Sequence, residues 1–240
     1  MSAKKSPIYI ANTLWIGIPL AIVGGYLDAY TFMMHDGVFA NAQTGNMVFL
    51  GIFFAQGQFS AAFSYLVPIL AFAAGVFVTE VMRRKRSAFW FLQWRHLVLA
   101  IEAAILFAVG FFPSYIPHNL VIVLVSFVCA MQVNTFRKMH NSLYATTMCT
   151  GNLRSATEAL AESIYDYDPV STGIFARYGF IILAFCGGAA LGTIMTRILQ
   201  FQSIWLCSAA LLACIFILNT DRSGRLKNKK ENENNESYGC

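Results

Sequence analysis

The chain has 240 residues, of which 57% are hydrophobic and only 12% are charged. A soluble domain typically has about 25% charged residues, so this composition excludes a water-soluble fold and indicates a membrane protein with several spans. The formal net charge of +5 does not indicate nucleic-acid binding. The basic residues lie in short clusters between apolar runs, as they do in the cytoplasmic loops of membrane proteins.

Six apolar runs predict membrane-spanning helices. They cover residues 13–34, 61–83, 96–113, 118–138, 174–196 and 203–219. Two weaker runs, 38–56 and 142–164, each contain the sequence Thr-Gly-Asn. The second also carries Arg154, Glu158 and Glu162, which we expect to form ion pairs on one helical face. A helix with these charges is a poor candidate for exposure to lipid.

Two basic clusters, Arg83–Arg86 and Arg137–Lys138, decide between two topologies. If all eight segments spanned the membrane from a cytoplasmic N-terminus, both clusters would face outward, against the positive-inside rule. If the two Thr-Gly-Asn segments instead enter and leave on one side, both clusters become cytoplasmic. We therefore expect an all-α polytopic fold with about six transmembrane helices, two re-entrant or broken segments, and both termini in the cytoplasm.

The chain is predicted to contain a single membrane domain over residues 13–219. A cytoplasmic segment (1–12) precedes it, and a polar tail (220–240) follows that has too little apolar content to fold. The six cysteines show neither a disulfide framework nor the spacing of metal ligands. The sequence therefore predicts no metal and no cofactor.

The two halves of this domain, about 13–113 and 118–219, resemble each other. TFMMHDGVFANAQTGN (31–46) corresponds to TFRKMHNSLYATTMCTGN (135–152) with a two-residue insertion, and ILAFAAG (69–75) corresponds to ILAFCGG (182–188). Each half then ends with one more apolar run. Three spans in each repeat place the second repeat upside down in the bilayer. This pattern is typical of inverted-repeat transporters, whose sites lie at the repeat interface near the midplane.

The two triplets, Thr44–Asn46 and Thr150–Asn152, put polar residues and a glycine where the bilayer is expected. Irregular backbone at membrane depth is tolerated only beside protein or a water-filled cavity. A glycine between Thr and Asn can break a helix while the side chains satisfy the freed backbone groups. The alternative is that both glycines only permit close helix packing, with Thr and Asn as interhelical hydrogen-bonding groups.

We expect a substrate or ion pathway at the polar and glycine residues of the first run, the fourth run and the two triplet segments. These residues are Asp28, Asn41, Gln43, Thr44, Gly45, Asn46, Gln132, Asn134, Thr150, Gly151 and Asn152. Asp28 lies deep in the first run, where a carboxylate is energetically expensive. It could carry a proton, bind a cation or hold an amide group. Its counterpart in the second repeat is the neutral Gln132.

Three further residues are candidates for a proton relay or gate. His35 and His140 each follow the repeated Thr-Phe, and Glu102 lies several residues inside its run. A histidine here can relay protons or can be an interfacial residue with no special role. Glu102 faces the same cavity or pairs with Arg95 or His96 along its helix.

The sequences GGYLDAYTF, GVFANAQTGNMVFLG, ILAFAAG, AMQVNTF and TTMCTGNL resemble the YoaK family of bacterial membrane proteins. The resemblance extends from about residue 15 to residue 220. It implies a multi-pass protein of the bacterial inner membrane. It implies no substrate and no catalytic residue.

The residues therefore favour a secondary transporter of an unidentified small solute rather than an enzyme, with Asp28 as a candidate for proton coupling. The alternative is a non-transporting scaffold or sensor, which predicts a dry interior around both triplets. The expected partners are the lipid bilayer and the small solute. A homo-oligomer is compatible with the sequence, and nucleic acid is not expected.

Overall fold

The computed structural model describes residues 14–84, 91–111, 117–136, 138–139, 142–143 and 149–220. Their helices are α1 (Leu14–Met34), α2 (Gln43–Ala55), α3 (Phe59–Arg84), α4 (Phe91–Val109), α5 (His118–Thr135), α6 (Cys149–Tyr165), α7 (Pro169–Leu199) and α8 (205–220). Two short strands between α5 and α6, β1 (Lys138–Met139) and β2 (Ser142–Leu143), pair antiparallel. A 3-10 turn, Gln200–Ile204, links α7 to α8.

Each of the six predicted apolar runs forms a helix, and the fold is predominantly α as expected. Within the described residues, three helical segments are long and apolar enough to cross a membrane: Leu14–Met34, Phe59–Arg84 and Pro169–Thr220. The outer surface carries large apolar side chains, such as Phe77, Leu183 and Phe216, which are 69%, 68% and 73% exposed. Such a surface is suited to contact with lipid.

Close glycine contacts join α1 to α7. A Cβ on Gly188 would overlap the carbonyl oxygen of Ile22, and a Cβ on Gly192 would lie 2.8 Å from that of Tyr26. Because Ile22 pairs with Gly188 and Tyr26 with Gly192, the two helices run in the same direction. Their backbones can approach this closely only without a side chain at the contact.

The contact between α3 and α5 repeats this arrangement. A Cβ on Gly75 would overlap the carbonyl oxygen of Phe127, and Tyr65 and Ile122 pack in one cluster nearer the start of both helices. These two helices therefore also run in the same direction. Gly75 and Gly188 end the repeated ILAFAAG and ILAFCGG motifs, so equivalent glycines make equivalent crossings.

The chain between α1 and α3 turns inward and comes out again at the same end of α1. Asn41 lies beside Asp28 in α1, with its backbone N–H 2.6 Å from Asp28 Oδ1. After α2, the Tyr65 hydroxyl near the start of α3 donates to the carbonyl oxygen of Asp36 at 3.4 Å. The 13 residues of α2 extend only about 20 Å. The start of α3 therefore lies close to the end of α1.

The first triplet begins a helix, whereas the sequence had suggested that it breaks one. Thr44–Asn46 lies in the first turn of α2, and Thr150–Asn152 lies in the first described turn of α6. Residues 38–42 before α2 are not helical. The first amides of a helix have no partner within it, so they need partners elsewhere.

The last helix packs against α4 in the opposite direction. The Ser208 hydroxyl donates to the Ala103 carbonyl oxygen at 2.8 Å, and Trp205 Nε1 donates to that of Phe107 at 3.0 Å. Because the earlier residue of α8 meets the later residue of α4, the two helices are antiparallel. Between α7 and α8, Gln200 has a φ of 50°. This value is uncommon for residues other than glycine, and it follows directly on the last residue of α7, Leu199.

Candidate functional site

A cavity of about 1010 Å³ lies between α1, α2, α3, α5, α6 and α7. It is bordered by Asp28 of α1, by the first turns of α2 and α6, by Phe72 of α3, by Asn134 of α5 and by Phe185 of α7. The two triplet segments, which are about a hundred residues apart in the sequence, therefore meet at one site. A cavity of this size matches the upper range of pockets that hold drug-sized organic ligands, about 300–1,000 Å³.

Residues at equivalent positions in the two repeats line the cavity together. The pairs are Ala29 and Val133, Gln43 and Cys149, Thr44 and Thr150, Phe72 and Phe185, and Val76 and Ala189. The cavity thus lies where the two repeats face each other. The pairing is incomplete. Asp28, Gly151 and Asn152 line the cavity, whereas their counterparts Gln132, Gly45 and Asn46 do not.

Most of the predicted pathway residues border this cavity. They are Asp28, Asn41, Gln43, Thr44, Asn134, Thr150, Gly151 and Asn152. Gly45, Asn46 and Gln132 lie outside the cavity lining. His35 and Glu102 also lie elsewhere, and His140 falls outside the described residues.

Asp28 holds the start of α2. The Asn41 N–H donates to Asp28 Oδ1 at 2.6 Å, and the carboxylate also faces the backbone amides of Ala40 and Ala42. Ala42 is the N-cap residue of α2 and has no capping side chain of its own. A carboxylate near the positive end of a helix dipole is favourable. Asp28 therefore anchors the segment just before α2 to α1 and places a carboxylate near the N-terminus of α2.

Asn46 fixes the non-helical chain before α2. Its Nδ2 donates to the Phe39 carbonyl oxygen at 2.8 Å and to Gln43 Oε1 at 3.0 Å, and its Oδ1 accepts the Phe39 N–H at 3.1 Å. The side chain thus pairs with both backbone groups of Phe39, which lines the cavity. Asn46 is completely buried, and its observed contacts are structural.

The two triplet glycines do not permit helix contacts of the kind that Gly75 and Gly188 make. A Cβ on Gly45 would lie 3.2 Å from the ring of Phe39, and one on Gly151 would meet no described atom within 4 Å. The hypothesis that both triplet glycines only permit close helix packing therefore does not explain Gly151. Its open side is part of the cavity wall.

Glu102 lies against Gln132 in a second buried polar pair. Both residues are at most 2% exposed. When the Gln132 amide is turned so that its nitrogen faces Glu102, that nitrogen lies 3.0 and 3.2 Å from the two carboxylate oxygens. We prefer that orientation because it turns a donor toward the acceptors. None of the ion pairs between described residues joins Glu102 to Arg95 or His96.

His35 packs at the end of α1, away from the cavity lining. It is 2% exposed, and its ring lies edge-on to Tyr30 with the centroids 5.6 Å apart.

The charged residues of α6 form two separate sets of contacts. Arg154 pairs with Glu158 at 2.8 Å as predicted. Glu162 instead shares the Ser171 hydroxyl with Asp168: a carboxylate oxygen of Glu162 lies 2.9 Å from it, and one of Asp168 lies 2.7 Å from it.

Several cavity residues were not predicted as pathway residues. Phe72 and Phe185 occupy the same position in the repeated ILAF motif, which could have identified them as a pair at the repeat interface. Ser155 also lines the cavity, four residues after Gly151 and hence on the same helical face. Thr193 of α7 lines the cavity as well, and only its polarity within an apolar run could have indicated it.

Comparisons with known proteins identify related membrane proteins. A family described as "Protein of unknown function (DUF1275)" matches residues 16–218. The "UPF0700 transmembrane protein YoaK" of Bacillus subtilis (strain 168) is 26% identical over 149 residues, which cover 61% of this chain and 66% of that protein. The aligned region is therefore slightly less than two thirds of that relative. No solved structure matches the chain.

Proposed function

The chain belongs to the DUF1275 family and is a transmembrane protein, and from that premise we propose that it is a secondary transporter of a small solute. The observation that carries the proposal is the lining of one large cavity by equivalent residues from both repeats. Inverted-repeat transporters hold their substrates at such an interface. The solute site in this proposal is the cavity between the first turns of α2 and α6.

Helix directions support an inverted arrangement of the two repeats with six spans. α3 starts beside the end of α1, where Tyr65 bonds Asp36, and returns along the cavity that α1 also lines. α3 is thus antiparallel to α1, and α5 runs parallel to α3. The equivalent helices α1 and α5 therefore point in opposite directions. In this proposal α2 and α6 are re-entrant segments.

The position of the cavity along α3 and α7 supports a site near the middle of the bilayer. Phe72 and Val76 lie close to the centre of α3, and Phe185 and Ala189 lie close to the centre of α7. Both helices belong to segments long enough to span a membrane. A cavity at their centres would lie within the hydrocarbon region, about 30 Å thick.

The proposal places the protein in the bacterial inner membrane with both termini in the cytoplasm. Arg83 and Arg84 end α3, and the tail after α8 carries the basic residues from Arg222 to Lys230. With six spans and two re-entrant segments, these clusters face the cytoplasm, as the positive-inside rule requires. Coupling to protons through Asp28 would require the carboxylate to release the start of α2 during transport.

Thiol labelling from each side of the membrane tests the proposal. Thr44→Cys and Thr150→Cys are made singly in a background without native cysteines and treated with a membrane-impermeant maleimide, in right-side-out and inverted vesicles. Both positions line one cavity, so we expect both to react and to respond from the same side. Gln58→Cys, exposed between α2 and α3, is the control for reagent activity.

The hypothesis of a non-transporting scaffold or sensor predicts a different result from the same experiment. If Thr44→Cys and Thr150→Cys both resist labelling from either side while Gln58→Cys reacts, water does not reach the cavity. The transport proposal would then be wrong, and a non-transporting scaffold or sensor would take its place.

A further inference from the structure

The carboxyl group of Glu102 lies outside the cavity lining and faces Gln132, the counterpart of Asp28 in the second repeat. Glu102 is near the middle of α4 and is 1% exposed. None of the ion pairs between described residues includes it. A carboxylate buried at this depth is energetically expensive unless a cation or hydrogen-bond donors compensate its charge. The state of this group therefore depends on its neighbours.

The titratable groups around this carboxyl bring no positive charge to it. Within the described part of the chain, the thiols of Cys129 in α5 and of Cys207 and Cys214 in α8 interact electrostatically with Glu102, Asp28 of α1 also acts on Cys129, and Tyr26 and Tyr30 of α1 act on Cys207. Thiols, phenols and carboxyls never carry a positive charge. Arg95 and His96 lie about two turns earlier on α4, and the Arg95 guanidinium lies 5.8 Å from the centroid of the Phe136 ring.

The side-chain amide of Gln132 lies between two acceptors. One end of the amide lies 3.0 and 3.2 Å from the carboxylate oxygens of Glu102, and the other end lies 3.3 Å from the carbonyl oxygen of Leu20 in α1. An amide donates only from its nitrogen, and its other end is an acceptor oxygen. While Glu102 is ionised, the amide therefore donates to Glu102 or to Leu20, but not to both, whichever way it is turned.

A proton on Glu102 removes this conflict. The carboxyl then donates its O–H to Gln132 Oε1, and Gln132 Nε2 donates to the Leu20 carbonyl oxygen. When the proton leaves, the amide turns its nitrogen to the carboxylate, and the hydrogen bond to α1 is lost. The two states differ by one proton and one rotation of an amide group. Proton uptake by Asp28 would instead disturb the segment before α2, whose Asn41 N–H it accepts.

We propose, on the basis of the transport function above, that Glu102 binds the proton coupled to solute movement, and that this proton switches the Gln132 amide from Glu102 to Leu20. α5 borders the cavity through Asn134, and α1 borders it through Asp28. Protonation thus adds a hydrogen bond between two helices of the cavity wall. The proton site and the solute cavity are separate, and Gln132 connects them.

Infrared difference spectroscopy on the full chain in lipid nanodiscs tests this inference. A protonated carboxyl group has a carbonyl stretching band above the amide I region, and ionisation removes the band. We expect such a band to disappear as the pH is raised over the range in which the chain stays folded. It should be absent from Glu102→Gln and present in Asp28→Asn. Glu158→Gln, which removes an exposed carboxyl of α6, is the matched control and should also retain it.

Gln132→Leu identifies the same band without removing the carboxyl. The variant takes away the acceptor of the Glu102 O–H, so the band should move to higher frequency. This readout keeps the test decisive if Glu102→Gln does not fold.

An isotope label in the side-chain carbonyl of glutamine tests the switch itself. Gln132 Oε1 accepts the Glu102 O–H only in the protonated form, so the amide carbonyl band of one glutamine should shift together with the loss of the Glu102 band. The shift should be missing from Gln132→Leu. A carboxyl with only a structural role would not move a glutamine band with pH.

Three results would overturn the inference and leave the transport proposal intact. The first is a Glu102 carboxyl that stays protonated or stays ionised over the whole pH range. The second is a titrating band that persists unchanged in both Glu102→Gln and Gln132→Leu. The third is a glutamine signal that does not change when Glu102 titrates. The transport proposal is decided separately, by whether aqueous reagents reach Thr44→Cys and Thr150→Cys.

Discussion

The backbone N–H of Asn41 donates to Asp28 Oδ1 at 2.6 Å, across 13 residues that leave α1 and turn back beside it. This hydrogen bond brings the start of α2 to the level of α1 that borders the cavity. Asp28 is 5% exposed, so its bonds form away from bulk water. The carboxylate thus determines where one of the two triplets lies.

Replacing Asp28 should loosen the start of α2. Asp28→Ala removes the acceptor of the Asn41 N–H and should lower the free energy of unfolding by about 1–3 kcal/mol. Asp28→Asn keeps one oxygen but loses the charge, so its effect should be smaller. The free energy is measured by titration with SDS in mixed micelles. Asp36→Asn, exposed in the same connection, is the matched control, and an equal loss there would contradict the role of Asp28.

The glycine crossings should not tolerate a methyl group. Gly188→Ala and Gly75→Ala each place a Cβ onto a carbonyl oxygen of the facing helix, so the helices must separate. We expect each to lower the free energy of unfolding by about 1–3 kcal/mol. Gly187→Ala meets no described atom within 4 Å and should be neutral or stabilising by about 1 kcal/mol. Similar behaviour of Gly187→Ala and Gly188→Ala in the same titration would refute the close crossing.

Asn46→Asp tests the attachment of Phe39 to α2. The substitution keeps the shape of the side chain but removes the Nδ2 donor to Phe39 and Gln43, leaving two partly buried acceptors unpaired. The free energy of unfolding should fall by about 1–3 kcal/mol. Labelling of Thr44→Cys should also become faster, because the first turn of α2 is less restrained. An unchanged labelling rate together with an unchanged free energy of unfolding would show that the hydrogen bonds of Asn46 do not stabilise the start of α2.

The start of α7 should make stability depend on pH. The Ser171 hydroxyl at 2.7 Å, and then the Val170 N–H at 3.0 Å, hold the pKa of the Asp168 carboxyl below its ordinary 3.8. A lowered folded-state pKa stabilises the protein above 3.8, and this contribution is lost as the pH falls through the folded value.

Asp168→Asn separates charge from capping. Asparagine is also a good N-cap residue, so the variant should keep most of the cap but lose the part of the pH dependence that comes from this site. The thermal midpoint is followed from neutral pH to about pH 3. The unmodified chain should lose more of its midpoint on acidification than the variant. Parallel curves for the two proteins would contradict the assignment.

The length and composition of the apolar runs predicted the apolar helices, because a bilayer imposes length and apolar composition on each helix separately. The runs 13–34 and 61–83 lie within two residues of α1 and α3. The start of α2 was less predictable because Asp28, which anchors the segment before it, belongs to another helix. Ala42 makes no side-chain capping hydrogen bond, so nothing in the local sequence indicated that a helix begins there.

The cavity could be predicted in part from the repeat. The equivalence of Thr44 and Thr150 indicated that the two triplets share a site, and both line the cavity. Asn46 was assigned to the pathway by its motif, but its contact with Phe39 depends on how residues 38–42 fold, which periodicity does not encode. Glu102 was expected either to face the cavity or to pair along its own helix, yet it lies outside the cavity lining and its partner Gln132 belongs to α5.

A bulky side chain in one triplet and a thiol in the other test most directly whether the two triplets share one cavity. In a background without native cysteines, the labelling rate of the Thr44→Cys thiol is measured with the native threonine at position 150 and with Thr150→Trp in the same chain. Both positions line the cavity, so we expect the indole to slow labelling at Thr44→Cys severalfold, while labelling of a Gln58→Cys control is unchanged. Equal labelling rates at Thr44→Cys with and without Thr150→Trp would show that the triplets lie in separate spaces, and the shared solute site would be wrong.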